Sequence, residues 1–217
     1  MNVVNFTRNE LAEYTVKQVA VFFPDGKEAV MKDVVKKNID EALSRLAVCI
    51  NSVKTWKKDS FDYLHSSQYC TYLYFLANTI WRNSEEVDVA TKLFLLNKML
   101  NGIDLFYEIN MPDIFFIGHS SGIVLAKANY SNYLVIYQNS TVGKNHGVAP
   151  EIGEGVIMYP HSSIIGRSVV GDRSVIAQGV GVVNKDVPGD CIVFDGNPGV
   201  LNFKSLKRDF IEDFFRF

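Results

Sequence analysis

Apolar positions in the second half of the chain recur every six residues. An aliphatic residue or methionine opens each hexad between positions 152 and 187, and these openings are Ile152, Met158, Ile164, Val170, Ile176 and Val182. A period of six fits neither an α-helix, with about 3.6 residues per turn, nor the alternation of a simple strand. It is typical of a parallel β-helix, in which short strands stack coil on coil and one side chain per strand points into a narrow interior.

The hexads begin earlier with a less regular spacing. The earlier openings are Ile117, Ile123, Tyr130, Ile136 and Val142, with one extra residue before Tyr130. The step from Val142 to Ile152 is ten instead of six, so about four residues within 143–151 leave the coil as a loop. Three hexads make one coil, which predicts roughly three and a half coils. The alternative, an ordinary sheet with accidental spacing, requires six consecutive coincidences.

The first half of the chain has helical patterns. Thr7 followed by Glu10 is a capping box, which predicts a helix that ends at 24–26, the sequence Pro-Asp-Gly. Residues 15–23 could instead form a strand, and the cap favours the helix. Apolar stripes and stop signals predict three further helices, over 32–51, 67–81 and 84–100. For the last of these, Ser84 is the predicted N-cap and Asn101-Gly102 is the stop signal.

These patterns divide the chain into three parts. We expect an α-helical domain over 1–105, a β-helix over 106–190 and a C-terminal extension over 191–217, with the chain leaving the coil after Pro188. The last twelve residues form an amphipathic tail whose aromatic residues need a partner surface, and a subunit contact is the expected one. These are Phe210, Phe214, Phe215 and Phe217.

Composition excludes some classes of function. Of the 217 residues 47% are hydrophobic and 21% are charged, and the net charge is −2, which argues against a nucleic-acid surface. No signal peptide or basic run is visible, and the longest apolar stretch, 69–81, is broken by polar residues and is too short to span a bilayer. The expected location is the cytoplasm. The cysteines Cys49, Cys70 and Cys191 are expected to be buried free thiols, because they lack metal-ligand spacing.

Several short stretches together form a recognisable motif set: FYEI at 106–109, IGHSSGIV at 117–124, NYLVIYQNSTVG at 132–143, PEIG at 150–153, Val187-Pro188 and Gly196-Asn197-Pro198. These stretches resemble the serine acetyltransferases and the related O-acetyltransferases of capsule and lipopolysaccharide biosynthesis. The first two are similar to that family's signature, an acid followed by His-x-x-Gly-[Ile/Val]-Val. The resemblance implies a left-handed β-helix behind a helical domain, acetyl-CoA as the donor, and a homotrimer with active sites between adjacent subunits. Pairing of two trimers stays an alternative.

Two residues are candidates for catalysis. Transfer of an acetyl group to a hydroxyl needs a base, and histidine titrates near neutral pH. His119 stands at the third place of its hexad, where a side chain can project from the coil. Glu108 matches the acidic position of the family motif and could hold the other imidazole nitrogen. The predicted dyad is therefore His119 with Glu108; the alternative for His119 is a solvated turn residue.

The loop supplies the acceptor-binding or oxyanion candidates, His146 and Asn145, with an exposed loop histidine as the alternative. Here the chain departs from the family. Ala149 stands where serine acetyltransferases carry a second histidine after an arginine, and Gly118 stands where they carry an aspartate that binds the acceptor amino acid. These departures put serine as the acceptor in doubt.

Donor-binding candidates are spread along the coil. They are Gly143, Lys144, His161, Gln178 and Lys185, and Lys204, Lys207 and Arg208 could also meet the coenzyme phosphates. His161 is also a reserve base, and His65, which precedes the third helix, is expected to be structural. No metal is expected, because the four histidines lack regular ligand spacing.

The sequence thus predicts an acetyl-CoA-dependent O-acetyltransferase. The expected acceptor is a small hydroxyl compound, a sugar or glycan precursor of polysaccharide biosynthesis rather than free serine. Serine O-acetylation and N-acetylation of a nucleotide-linked amino sugar are the enzymatic alternatives. A β-helical scaffold protein without activity is the third.

Overall fold

The computed structural model describes residues 1–84 and 86–217. Two compact units divide the described chain. The helical unit comprises Met1–Asn51 and Trp56–Glu108, and the β-helical unit comprises Ser52–Thr55 and Ile109–Phe217.

Four helices and short strands make up the first part of the chain, which confirms the predicted helical front. In chain order the elements are β1 (Asn2–Val3), α1 (Arg8–Phe22), α2 (Glu28–Ser52), β2 (Ser60–Phe61), α3 (Ser66–Ser84), α4 (Val87–Asn101) and β3 (Asp104–Leu105). β1 and β2 pair in parallel. α3 is the central helix, because every residue from Ser67 to Ile80 is buried. None of the helices in the described ranges is both long and apolar enough to cross a bilayer.

Local signals fix some helix ends and not others. The Glu10 backbone N–H donates to Thr7 Oγ1 (3.2 Å) and the Thr7 N–H donates to Glu10 Oε2 (2.7 Å), so the capping box forms as predicted. Gly102 ends α4 with a φ of 64°, and its N–H donates to the Lys98 carbonyl. Ser84 as the N-cap of α4 is wrong: it is the last residue of α3, and its hydroxyl bonds back to the Ile80 carbonyl (2.9 Å).

The β-helical unit is built from thirteen short strands. They are β4 (Phe115–Ile117), β5 (Val124–Leu125), β6 (Asn129–Tyr130), β7 (Leu134–Ile136), β8 (Thr141–Gly143), β9 (Glu151–Ile152), β10 (Ile157–Met158), β11 (Ser163–Ile165), β12 (Val169–Val170), β13 (Val175–Ile176), β14 (Gly181–Val183), β15 (Cys191–Asp195) and β16 (Leu201–Ser205). Successive strands fall on three faces. The first face holds β4, β7, β10, β13 and β15, the second β5, β8, β11 and β14, and the third β6, β9 and β12.

All pairings within the faces are parallel except that of β15 with β16. On the first face one interior side chain from each coil stacks on the next, and these are Ile117, Ile136, Met158, Ile176 and Val193. All five are 1% exposed or less. The hexad openings on this face therefore point into the coil, and the predicted fold class is confirmed.

The register of the first coil differs from the prediction. Leu125, not Ile123, aligns with Val142 on the second face. Interior positions therefore step by eight residues from Ile117 to Leu125 and by five from Leu125 to Tyr130. The sum of thirteen equals the predicted six plus seven, so the error at Ile123 left the rest of the register unchanged.

The chain leaves the coil later than expected. A corner at Gly189 and Asp190, both with positive φ, turns it back, and β15 pairs with β13 so that Val193 takes the interior place next to Ile176. The expectation of an exit after Pro188 is therefore wrong.

The C-terminal tail, residues 206–217, packs on its own β-helix. It contains a 3-10 helix, Ile211–Asp213, followed by Phe214 and Phe215. The ring of Phe215 is fully buried and meets Tyr133 edge to face (5.4 Å between centroids), and Phe214 lies 6.1 Å from Phe116. The partner surface for these two rings is therefore within the chain, which corrects the expected subunit contact.

Candidate active site

The site is built on the first edge, which we define as the four stacked turns that join the first face to the second. The turns are 118–123, 137–140, 159–162 and 177–180. Three of them have four residues and the first has six. Left-handed residues occupy the same place in each turn, namely Gly122, Asn139, His161 and Gly179.

Hydrogen bonds between coils show which two residues are extra. The Gly118 N–H donates to the Ile136 carbonyl (2.9 Å), so Gly118 lies over Tyr137. The Asn139 N–H donates to the Ser121 carbonyl (2.9 Å), just as the His161 N–H donates to the Gln138 carbonyl, so Ser121 lies over Gln138. His119 and Ser120 have no counterpart in the turns below. They form a bulge, and the His119 side chain is exposed.

Aromatic rings lie next to this bulge in the β-helical unit. The Tyr137 ring lies 6.4 Å from the His119 ring and stacks on Tyr159 of the next coil (5.8 Å, 13° between planes). Burial, together with the neighbouring Tyr159, raises the pKa of the Tyr137 hydroxyl. Next to Tyr137, Gln138 Oε1 is buried without a hydrogen-bond partner among the described residues.

Two of the donor-binding candidates lie on the same edge. His161 and Gln178 are exposed and occupy the third and fourth turns. His161 Nε2 lies 3.5 Å from Asn139 Nδ2 of the turn above. Two coils separate His161 from His119, which corresponds to about 10 Å along the coil, so the two imidazoles are not equivalent candidates for one acceptor atom.

The loop candidates and Lys185 lie on the second edge, where the second face turns into the third, whereas Lys204 lies in β16 and Lys207 and Arg208 lie in the tail. The loop there contains a tight turn, in which Asn145 and Val148 exchange backbone hydrogen bonds (2.9 and 3.0 Å) and His146 and Gly147 both have positive φ. His146 is exposed at the tip, and Lys144 is exposed beside it.

Three further residues of this edge have defined contacts. The Asn145 side chain packs over Gly166, where an added Cβ would lie 2.8 Å from Asn145 Cβ. Gly143 lies in β8 next to Ile165, with ordinary room for a Cβ. Lys185 Nζ donates to the Gly199 carbonyl, which ties it to the loop between β15 and β16.

Glu108 is half-buried and ends the helical unit, in the turn after β3. His119 belongs to the β-helical unit, so the pairing of these two side chains stays a prediction. His65 stacks edge to face on Trp56 (5.9 Å), which suits its expected structural role. No group of three His, Cys, Asp or Glu side chains within 1–84 and 86–217 is placed to bind a metal.

Sequence reasoning missed Tyr137. The available signal was the spacing of Tyr137 and Tyr159, which are 22 residues apart, or one coil of eighteen plus the four loop residues. That spacing puts both rings in the same place of neighbouring turns. The spacing could therefore have predicted an aromatic stack beside His119.

Four helices followed by a left-handed hexapeptide β-helix are the fold of the serine acetyltransferases. This fold confirms the resemblance inferred from the motifs. No family model matches the sequence. Among curated proteins, serine acetyltransferase 2 of Arabidopsis thaliana is 28% identical over 156 residues, which cover 66% of this chain and 47% of the relative. A Schizosaccharomyces pombe protein named as a candidate serine acetyltransferase is 29% identical over 135 residues, 59% of this chain and 47% of its own. The chain thus spans about half the length of these relatives.

Solved structures show the same fold at low sequence identity. Serine acetyltransferase from Brucella abortus superposes with a TM-score of 0.71 at 16% identity, over 93% of this chain and 85% of that one. The Neisseria gonorrhoeae enzyme gives 0.68 at 16% identity, over 93% and 82%. A serine acetyltransferase in complex with CoA gives 0.65 at 18% identity, over 80% and 75%.

Proposed function

We propose that the chain is an acetyl-CoA-dependent O-acetyltransferase in which His119 is the general base. The observation that carries the proposal is the two-residue bulge at His119 and Ser120, which projects an exposed imidazole from an otherwise regular edge. The curated relatives are named serine acetyltransferases, and a structure of the same fold binds CoA. These names support the donor and the reaction class.

The proposed step is a direct transfer. The acceptor oxygen attacks the thioester carbonyl while its proton passes to the unprotonated nitrogen of His119. A C–O bond forms and the C–S bond breaks, and the leaving thiolate recovers the proton. Glu108 is the proposed partner of the other imidazole nitrogen, which it would orient and whose positive charge it would stabilise.

Neighbouring copies would complete the site. Within one chain the candidates fall into two groups, with His119 and His161 on the first edge and Lys144 and His146 on the second. The second face separates these edges. In the proposed homotrimer the first edge of one copy would meet the second edge of its neighbour, so that each site takes its base from one copy and its loop from the other.

Serine is the proposed acceptor, because the curated relatives that the chain resembles are named for that substrate. This revises the sugar acceptor expected from the motif departures. A sugar hydroxyl stays the second candidate for one reason: Gly118 offers no side chain to an amino-acid acceptor.

The test incubates the purified full chain with acetyl-CoA and one acceptor at a time: serine, sugar nucleotides or oligosaccharides. Free CoA is quantified by chromatography, with His119→Asn as the matched control. We expect turnover with serine and a loss of about 10²- to 10⁴-fold in His119→Asn, with unchanged acetyl-CoA binding by calorimetry.

Turnover with a sugar but not with serine would replace the acceptor and keep the reaction class. Turnover with an amine that survives His119→Asn would favour N-acetylation. No binding of acetyl-CoA and no thioester hydrolysis would leave the scaffold alternative.

A further inference from the structure

Tyr137 is the centre of an aromatic cluster beneath the His119 bulge. Besides His119 and Tyr159, its ring meets Phe116 edge-on (6.4 Å, 90°) and Phe214 of the tail (6.2 Å, 67°). Four aromatic neighbours hold the ring in one place. The ring is half-buried, so its position is set by packing on several sides.

Gly118 rests on this ring with no room for a larger residue. A Cβ built at Gly118 would lie 2.5 Å from Tyr137 Cε1 and 2.6 Å from Cδ1, distances at which one of the two groups must move. The stack with Tyr159 and the contact with Phe214 oppose a movement of the ring. The backbone just before His119 is therefore in direct contact with a fixed aromatic surface.

We propose that Gly118 and Tyr137 act together as a positioning pair for His119. The ring supports the backbone at the start of the bulge and borders the imidazole, so it fixes where the base points. The glycine allows that close approach. The proposal rests on the proposed function of His119, and it makes Tyr137 a positioning residue, because the ring would act through His119.

Four variants test the pair by a double-mutant cycle. Tyr137→Phe keeps the ring and should have the kcat of the unsubstituted chain. Tyr137→Ala and Gly118→Ala should each lower kcat by on the order of 10- to 100-fold, the scale expected when a catalytic group is displaced by about 1 Å, while the KM for acetyl-CoA holds. The double variant should be no worse than Tyr137→Ala alone, because removal of the ring makes room for the methyl group.

Tyr133→Ala is the matched control. It removes a ring of the same kind at the opposite end of β7, where Tyr133 meets Phe215 and Phe217 rather than His119. It should lower the Tm and leave kcat unchanged. If Tyr137→Ala does not fold, Gly118→Ala carries the test, since its methyl group pushes the backbone before His119 away from the ring without removing an atom.

A second readout does not depend on turnover. The imidazole NMR signal of His119, assigned by its loss in His119→Asn, should shift in the free protein on Gly118→Ala, which removes no aromatic ring near it, but not on Tyr133→Ala. A shifted signal in a protein without any acetyl transfer would support the pair and refute the proposed function. An unmoved signal, or an unchanged kcat in an active Tyr137→Ala variant, would overturn the pair.

Discussion

At the scale of single residues, the narrow interior of the coil accommodates small side chains beside the large apolar ones. The fifth place of successive hexads holds Ser162, Ser168 and Ser174, each 1% exposed or less. Burial of a hydroxyl is tolerated because a backbone group pairs with it. Ser168 donates to the Ile165 carbonyl (3.0 Å) and accepts from the Lys185 N–H (3.1 Å).

Ser168→Ala should destabilise the β-helical unit by about 1–3 kcal/mol, because it leaves the Lys185 N–H without this acceptor, while the Ile165 carbonyl still accepts from the Asn184 N–H. Urea unfolding followed by circular dichroism measures the change. Ser163→Ala is the control: its side chain is half-buried on the second face, and its removal should change stability by under about 0.5 kcal/mol. Equal effects of the two substitutions would contradict the assigned role.

The same scale shows why the sequence predicted His119 but not its setting. A histidine in a repeat of aliphatic residues, within a stretch that resembles the family signature, is visible in the sequence. The bulge is not visible, because the longer step from Ile117 to Leu125 is offset by the shorter step to Tyr130. Only hydrogen bonds between coils distinguish the two registers, and they are long-range contacts.

At the scale of elements, the tail acts as a cover for the first face. Val135, Ile157 and Val175 point away from the coil interior and are still 3% exposed or less. The tail backbone also pairs with the segment before Trp56: Phe215 bridges to Val53, and the Arg216 backbone N–H donates to the Ser52 carbonyl (2.7 Å). The tail is thus fixed at its end as well as by its rings.

Phe215→Ala should cost about 3–5 kcal/mol of unfolding free energy, the range for loss of a buried aromatic ring. Thermal and urea unfolding measure it. Phe217→Ala is the control, because Phe217 is 75% exposed and its loss should cost little. If Phe215→Ala instead dissociated an oligomer without destabilising the chain, the expected subunit contact would return.

A second element, the loop after α1, is tied to α4 by charge. Lys92 Nζ lies 2.5 Å from Asp25 Oδ2 and 2.8 Å from Asp88 Oδ2. The hydrogen bonds from Lys92 hold the pKa of both carboxyl groups below their ordinary value of 3.8. A carboxyl group whose pKa is lowered by folding stabilises the fold at pH values above its ordinary pKa. This stabilisation is lost as the pH falls through the pKa of the folded state.

Lys92→Met should therefore lower the Tm at pH 7 by more than at pH 3, because the stabilisation from the two ionised carboxyl groups decreases once the pH falls below their ordinary pKa. Methionine keeps the aliphatic packing of this 7% exposed side chain and removes only the charge. Calorimetry at both pH values gives the comparison. A Tm difference that grows at low pH would show that the sign of this coupling is wrong.

Helix ends illustrate what local sequence can and cannot predict. The start of α1 was predictable because Thr7 and Glu10 satisfy each other's backbone groups without outside help. The start of α4 was not, because Glu86 stands at the N-cap without a side-chain hydrogen bond, so no capping signal marks this boundary in the sequence.

At the scale of the whole molecule, repetition made the coil predictable. Each coil pairs only with the coils above and below it, so one residue type at a fixed interval repeats one contact, as in the stack from Ile117 to Val193. The arrangement of copies has no such signal. It depends on outward residues, whose identities vary along the faces, and the proposed trimer therefore has to be tested directly.

Shared sites between copies would allow two inactive variants to restore activity. His119→Ala removes the base on the first edge. Gly143→Trp is expected to block the donor at the second edge, while Gly143→Ala, for which the structure has ordinary room, should stay active as its control. Unfolding and refolding a 1:1 mixture of the two inactive variants should produce mixed trimers.

In such trimers a site is intact only when the chain that supplies its first edge still has His119 and the chain that supplies its second edge still has Gly143. Random mixing of three chains predicts about a quarter of the activity of the unsubstituted protein. Acetyl transfer measured before and after refolding gives the result. If each chain carried a complete site by itself, the refolded mixture would stay inactive, because every chain then holds one lesion.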